Sequence, residues 1–133
     1  MFEISPISDQ SSPQFELAGK PVHGSKAVRL SGEFSLVYTS GLVAPTGDDG
    51  RGTIEVQVRA VLDQLRDVAA GAGATLDQVV KLMAWLPNPA DVPVYADIRR
   101  GYFGDSSPAS TSVISSLVEE DILIEVEAIL AVG

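Results

Sequence analysis

The run Val79-Val80-Lys81-Leu82-Met83-Ala84-Trp85-Leu86 limits the fold more than any other feature of the chain. It ends at Pro87-Asn88-Pro89 and reads as a strand that is apolar on both faces apart from Lys81. Such a strand is central in its sheet and covered on both sides. Residues 122–132 read as the last strand. There Ile122, Ile124, Val126, Ala128 and Leu130 alternate with Leu123, Glu125, Glu127 and Ile129.

The helices that cover these strands are legible too. Ile54, Val58, Val61, Leu62, Leu65, Val68 and Ala69 form one apolar stripe at a 3.6-residue period. Thr53 is placed to cap that helix, Glu55 complements its dipole, and Gly71 supplies the stop. Thr75-Leu76-Asp77-Gln78 has capping-box spacing and predicts one helical turn. Asp91 caps a second helix, with Pro93 in its first turn, Val92, Tyr95, Ile98 and Tyr102 on its apolar side and Gly104 at its end.

The remaining elements are short. Lys26–Leu30 and Phe34–Thr39, joined by Ser31-Gly32, predict a hairpin. Residues 45–52 form a loop, Thr111–Ser116 a hydroxyl-rich strand, and Glu119-Glu120-Asp121 a turn. Residues 1–25 read as an irregular N-terminal segment with one short strand at Phe15–Leu17. The whole, residues 1–133, is expected to be a single domain. Its order, β-β-α-β-α-β-β, predicts an α+β fold: a mixed sheet with both helices on one face. The other face of that sheet, carrying the last strand, then calls for a partner subunit as cover.

Composition excludes several functions. There is no cysteine, hence no disulfide, thiolate nucleophile or zinc knuckle, which fits a cytoplasmic location. Eighteen acidic residues against nine basic ones leave a charge of −9 with no Lys/Arg run, so no nucleic-acid partner is expected. No signal peptide or membrane-spanning run is evident. His23 is the only histidine, so neither a metal site nor a catalytic triad has its usual residues, and no cofactor motif survives inspection. Gly71-Ala72-Gly73 lacks a third glycine and follows a helix, unlike a dinucleotide loop.

Two groups of residues have chemical potential. Glu125 and Glu127 stand two apart on one strand and point to one face. Enclosed among Leu123 and Ile129, two carboxylates resist both being charged, which suits one for acid–base work; at an edge they simply meet solvent or cations. Ser110, Thr111, Ser112, Ser115 and Ser116 either contact a small polar ligand or form a solvated edge. Trp85 reads as core.

Four segments together resemble the YjgF/RidA family, reactive intermediate deaminases, over about Ala27 to Val132. They are Thr39-Ser40-Gly41 followed by Pro45, the stretch Ala70 to Lys81, the helix Asp91 to Phe103, and Pro108-Ala109 with Ile124-Glu125-Val126-Glu127-Ala128. The resemblance implies a chorismate-mutase-like fold, a homotrimeric barrel, and small-molecule pockets at the subunit interfaces. It implies imine or enamine hydrolysis, with Glu125 as the acid–base group and Gly41 as a backbone contact. This chain departs from the family at three positions. Ser110 stands where the family has a carboxylate-binding arginine, Ser112 where a cysteine is common, and Ala96 where deaminating members carry asparagine. The implied function is therefore a pathway-specific enzyme on an imine, enamine or related carbonyl compound, and not a general 2-aminoacrylate deaminase. A non-catalytic ligand-binding or regulatory trimer is the other reading. Arg29, Arg99 and Arg100 are the cations available to replace the missing one.

Overall fold

The computed structural model describes residues 2–7, 15–17, 20–22, 24–106 and 108–133. Five strands open the chain: β1 (Phe2–Ile7), β2 (Phe15–Leu17), β3 (Lys20–Val22), β4 (Ala27–Gly32) and β5 (Ser35–Tyr38). Then come α1 (Ile54–Gly71), β6 (Val79–Leu86), α2 (Val92–Phe103), β7 (Ala109–Ile114) and β8 (Glu125–Val132). The main sheet has the order β5-β8-β6-β7, with β6 parallel to β7 and antiparallel to β8. The strand apolar on both faces, β6, is thus an inner strand, with β8 as the other.

The alternation of β6 and β8 divides that sheet into two faces. Leu82, Ala84 and Leu86 of β6 lie beside Val126, Ala128 and Leu130 of β8 and are buried. They join the α1 stripe, in which Val58, Val61, Leu62, Leu65 and Ala69 have no exposed surface, and Val92, Tyr95 and Phe103 of α2. Each large aliphatic side chain buried this fully contributes about 1.5–3 kcal/mol relative to exposure. The opposite face carries no helix. Leu36 and Tyr38 of β5 and Val113 of β7 point that way by register and are 43%, 68% and 37% exposed. The mixed sheet with two helices on one face is therefore observed as the α+β reading required.

Local signals explain most boundaries. The Thr53 side chain accepts from the Val56 N–H at the start of α1, and the Gln78 side chain accepts from the Thr75 N–H at 3.0 Å. Gly71 is the last residue of α1, and the left-handed turn falls two residues later at Gly73, φ 75°. There the Gly73 and Ala74 N–H groups close back on Ala70 and Ala69.

Four expectations are corrected. The predicted hairpin does not form: β4 pairs with β1 in a separate two-stranded sheet, while β5 pairs with β8. Strand β8 lies inside the sheet with a neighbour on each side, and β5 fills the side that β6 leaves. The segment read as irregular contains β1, hidden by Pro6, which sits opposite Val28 in a two-stranded pairing where a missing N–H is tolerated. The hydroxyl-rich strand runs over Ala109–Ile114, two residues earlier than read. The last strand begins at Glu125 rather than Ile122, because the Leu123 N–H donates to the Gln57 side chain, 2.9 Å, instead of to a neighbouring strand.

Candidate functional site

Glu125 is the first residue of β8 and lies on the helix-free face, half-buried and in register with Trp85. Glu127 follows on that face opposite Met83, so the two carboxylates share a face as their spacing predicts. Leu42, just beyond β5, bridges Val126 through two backbone hydrogen bonds of 2.7 and 3.0 Å. That bridge lays Gly41 against the Glu125 carboxyl. A Cβ built on Gly41 would stand 2.9 Å from both Cδ and Oε2 of Glu125, closer than real Cβ contacts come. The glycine leaves the space that the carboxyl occupies.

Trp85 is half-buried on the face without helices, not in the core. Lys81 and Met83 alternate onto the same face as Trp85, and that one charge in the run is the signal that could have shown the face is not core. Beside it, Tyr38, Thr39, Lys81, Met83, Glu127 and Ile129 line a cavity of about 200 Å3 on the same face. The Lys81 ammonium reaches Thr111 Oγ1 at 3.4 Å.

The serines lie elsewhere. Ser110 is in register with Leu82 and Ser112 with Ala84, which puts both on the helix-backed face of β7. Strand β6 separates β7 from β8. Within one chain the fold therefore brings Glu125 and Gly41 together and does not bring Ser110 or Ser112 to them. Ala96 is half-buried on α2. His23 lies outside the described residues. Arg29 and Arg100 are exposed, whereas Arg99 is 6% exposed on the buried side of α2.

The perturbed groups near α2 are explained by burial. It pushes the Tyr95 hydroxyl up, against the opposing effect of the Arg99 charge. Burial also raises the Asp91 carboxyl, with the negative charge of Glu55 adding to it. Sequence reasoning missed three buried polar residues, Ser25, Arg99 and Gln57, the last because it sits inside the α1 stripe. Its amide donates to the Gly52 and Asp121 carbonyls at 2.9 and 3.0 Å and its oxygen accepts from Leu123. Among the described residues no three His, Cys, Asp or Glu side chains gather as a metal site. No helix among them is long and apolar enough to cross a membrane.

Two helices on one face of a four-stranded mixed sheet, with an open apolar face opposite, define the class of fold. The endoribonuclease L-PSP family model matches residues 23–132. A RutC family protein of Pyrococcus horikoshii is 32% identical over 115 residues, 86% of this chain and 91% of its own. The 3-aminoacrylate deaminase RutC of Acinetobacter baylyi is 29% identical over 99 residues, 71% of this chain and 78% of its own. Among solved structures, the Rid-family protein YyfA of Yersinia pestis superposes with a TM-score of 0.68 at 29% identity, covering 98% of this chain and all of that one. The chain belongs to the endoribonuclease L-PSP family, the YjgF/Rid family that its motifs resemble.

Proposed function

We propose that the protein is a small-molecule enzyme that hydrolyses an imine, an enamine or a related carbonyl compound at a pocket between subunits of a homotrimer. The observation that carries this reading is the Glu125 carboxyl held on Gly41, on the face without helices. The likeness to a relative named as a 3-aminoacrylate deaminase supports the reaction class. The open face, with Leu36 and Tyr38 uncovered, supports a subunit interface there.

In this reading Glu125 works as acid and base. Water adds to the C=N carbon while the nitrogen gains a proton. The resulting carbinolamine then loses ammonia as its hydroxyl proton leaves, so that imine and water become carbonyl compound and ammonia. The glutamate donates the proton that the leaving nitrogen needs and recovers one from the hydroxyl. Gly41 contributes its backbone, and Ser110, Ser112 and Ala96 line the ligand's other side. One subunit would then supply Glu125 and Gly41 and its neighbour the serines. No metal or cofactor is invoked, nor a nucleic-acid partner, given the charge of −9. The protein would work in the cytoplasm.

Ammonia release from freshly generated imines and enamines tests this. Glu125→Gln keeps the shape, should leave the assembly intact and should lose most turnover; full turnover would exclude Glu125. Slow reaction with 2-aminoacrylate is expected because Ser110 stands where the family's carboxylate-binding arginine would be. That same substitution favours the second reading, a trimer that binds a ligand without transforming it. Ligand binding with no turnover on any imine or enamine would decide for it.

A further inference from the structure

Two opposite charges face one cavity on the helix-free face without meeting. Lys81 of β6 and Glu127 of β8 both line the cavity of about 200 Å3, with Met83, Ile129, Tyr38 and Thr39. By register Lys81 lies opposite Ile129 and Glu127 opposite Met83, so the two charged residues are diagonal neighbours across the β6–β8 pair. Such diagonals stand roughly 7–8 Å apart. The Lys81 ammonium leans the other way, toward β7, with Thr111 Oγ1 3.4 Å away. Among the described residues neither Lys81 nor Glu127 forms an ion pair: those present join Arg51 to Glu119 and Asp121, and Arg66 to Asp63. Both residues are half-buried.

Charges set among apolar side chains are normally matched. The four strands offer little else on this face to match these two. Lys81 is the only cation that they turn to it, and besides Glu127 the only carboxyl is Glu125, opposite Trp85 and seated on Gly41. A cavity with a cation on one wall and an anion on the other fits a ligand that carries the complementary pair. Its volume is below the roughly 300–1,000 Å3 of pockets that take drug-sized molecules, so that ligand is small. A lone anion would be drawn to Lys81 and repelled by Glu127, and a lone cation the reverse. A small zwitterion satisfies both. Having no net charge, it is also indifferent to the field of a chain of charge −9.

We infer that this cavity binds a small free amino acid as its zwitterion, the carboxylate on the Lys81 ammonium and the ammonium on the Glu127 carboxylate. Both contacts are charge-assisted hydrogen bonds, the stronger kind. In an amino acid a single carbon separates the two groups, which suits diagonal partners whose long side chains can reach toward one another. Met83 and Ile129 offer apolar contact to a short side chain. The site is separate from the Glu125 carboxyl on Gly41, and it rests on neither the proposed reaction nor the proposed assembly. A partner subunit on this face would roof the cavity and strengthen both contacts by excluding water.

Titration of the full chain with L-alanine, followed by NMR of methyl-labelled methionine, tests the site without any turnover assay. The sequence holds two methionines, so one signal reports on Met83 in the cavity and the other on Met1. L-alanine should shift the Met83 signal and saturate. Propionate, which lacks the ammonium, and L-alaninamide, which lacks the carboxylate, should each bind about 10- to 100-fold more weakly, the value of a hydrogen bond to a charged group. Lys81→Met and Glu127→Gln, which keep bulk and remove charge, should each weaken L-alanine by a factor of the same order. The comparison of the three ligands uses the unaltered protein, so it decides even where a variant fails to fold. An unmoved Met83 signal would overturn the inference, because Lys81 and Glu127 would then serve one another or a partner subunit. Propionate or L-alaninamide bound as well as L-alanine would overturn it too, since only one of the charges would be in use. Undiminished L-alanine binding by either folded variant would place the ligand elsewhere and end the assignment.

Discussion

Replacing Gly41 with alanine separates what the fold needs from what the site needs. The new Cβ would lie 2.9 Å from Cδ and Oε2 of Glu125. Ordinary carbon contacts are about 3.5–4.0 Å, so the carboxyl must retreat by roughly 0.5–1 Å. Gly41 does not have a left-handed φ, so alanine can adopt its backbone conformation. Alanine then stabilises by about 0.4–1 kcal/mol through the unfolded chain. An off-rotamer Glu125 costs about 0.5–1.5 kcal/mol. The two nearly cancel, so urea unfolding should change by less than about 1 kcal/mol, a shift of a few degrees in Tm. Turnover should suffer far more, since a misplacement of about 1 Å costs on the order of a hundredfold. The control is Glu125→Ala, which removes the obstructing atoms. In that background Gly41→Ala should be stabilising outright, and the difference between the two backgrounds measures the clash. Unchanged turnover of Gly41→Ala, or the same stability effect in both backgrounds, would refute the reasoning.

Light scattering should give three times the 14.0 kDa chain mass, and a concentration-independent monomer would defeat the shared pocket. Gln57→Leu leaves the Gly52 and Asp121 carbonyls and the Leu123 N–H without their partner. At about 1–3 kcal/mol per buried unsatisfied group, a loss of about 3–5 kcal/mol in urea unfolding is expected, and less than about 1 kcal/mol would show that water replaces the amide. Burial raises the Tyr95 hydroxyl above its ordinary 10.0. Its contribution to stability is therefore complete below pH 10 and is lost above it, where the unfolded chain gives up a proton that the native one keeps. Unfolding measured at rising pH should show wild type losing about 1.4 kcal/mol per pH unit more than Tyr95→Phe, and parallel curves would refute the burial argument.

The helices and central strands were legible because their signals are local. The α1 stripe and the two-sided apolar run of β6 each state their own burial, and Thr53 marks where α1 starts. Pairing was not local. Nothing within residues 26–39 shows that β4 turns to β1 while β5 crosses to β8, since that depends on a strand some ninety residues later having a free side. The site was legible in part for the same reason. A two-residue spacing fixes Glu125 and Glu127 on one face. The positions of Ser110 and Ser112 on the other face depend on the parallel register of β7 with β6, which no spacing within β7 reveals. Arg99 was visible only as one cation among three. Its burial follows from α2 facing the sheet with Tyr95, Arg99 and Phe103 together, and a charge inside an apolar stripe runs against the pattern that locates the stripe.

The place of Glu125 in the fold is decided from the far side of the sheet. The alternation of apolar residues runs unbroken from Ile122, so pattern alone would start the last strand there, and Ile122 and Ile124 are indeed buried, at 1% and 0% exposure. Gln57, in the buried stripe of α1, intervenes by taking the Leu123 N–H and the Asp121 carbonyl, groups that a strand starting at Ile122 would offer to a ladder. Arg51 fixes the same turn from outside, pairing with Glu119 at 2.6 Å and Asp121 at 3.0 Å and donating to the Ala44 carbonyl. The ladder therefore opens at Glu125, with Trp85 opposite and the Leu42 bridge immediately after. A carboxyl at the opening of a strand has backbone on one side only, which is where Gly41 leaves it room. Gln57→Leu should thus do more than lower stability. Where the variant still folds, the ladder gains the freedom to begin earlier and the Glu125 carboxyl loses its fixed seat on Gly41. Its turnover should then fall further than the fraction of folded protein accounts for. A loss of turnover that merely tracks the folded fraction would show that Gln57 serves the core alone.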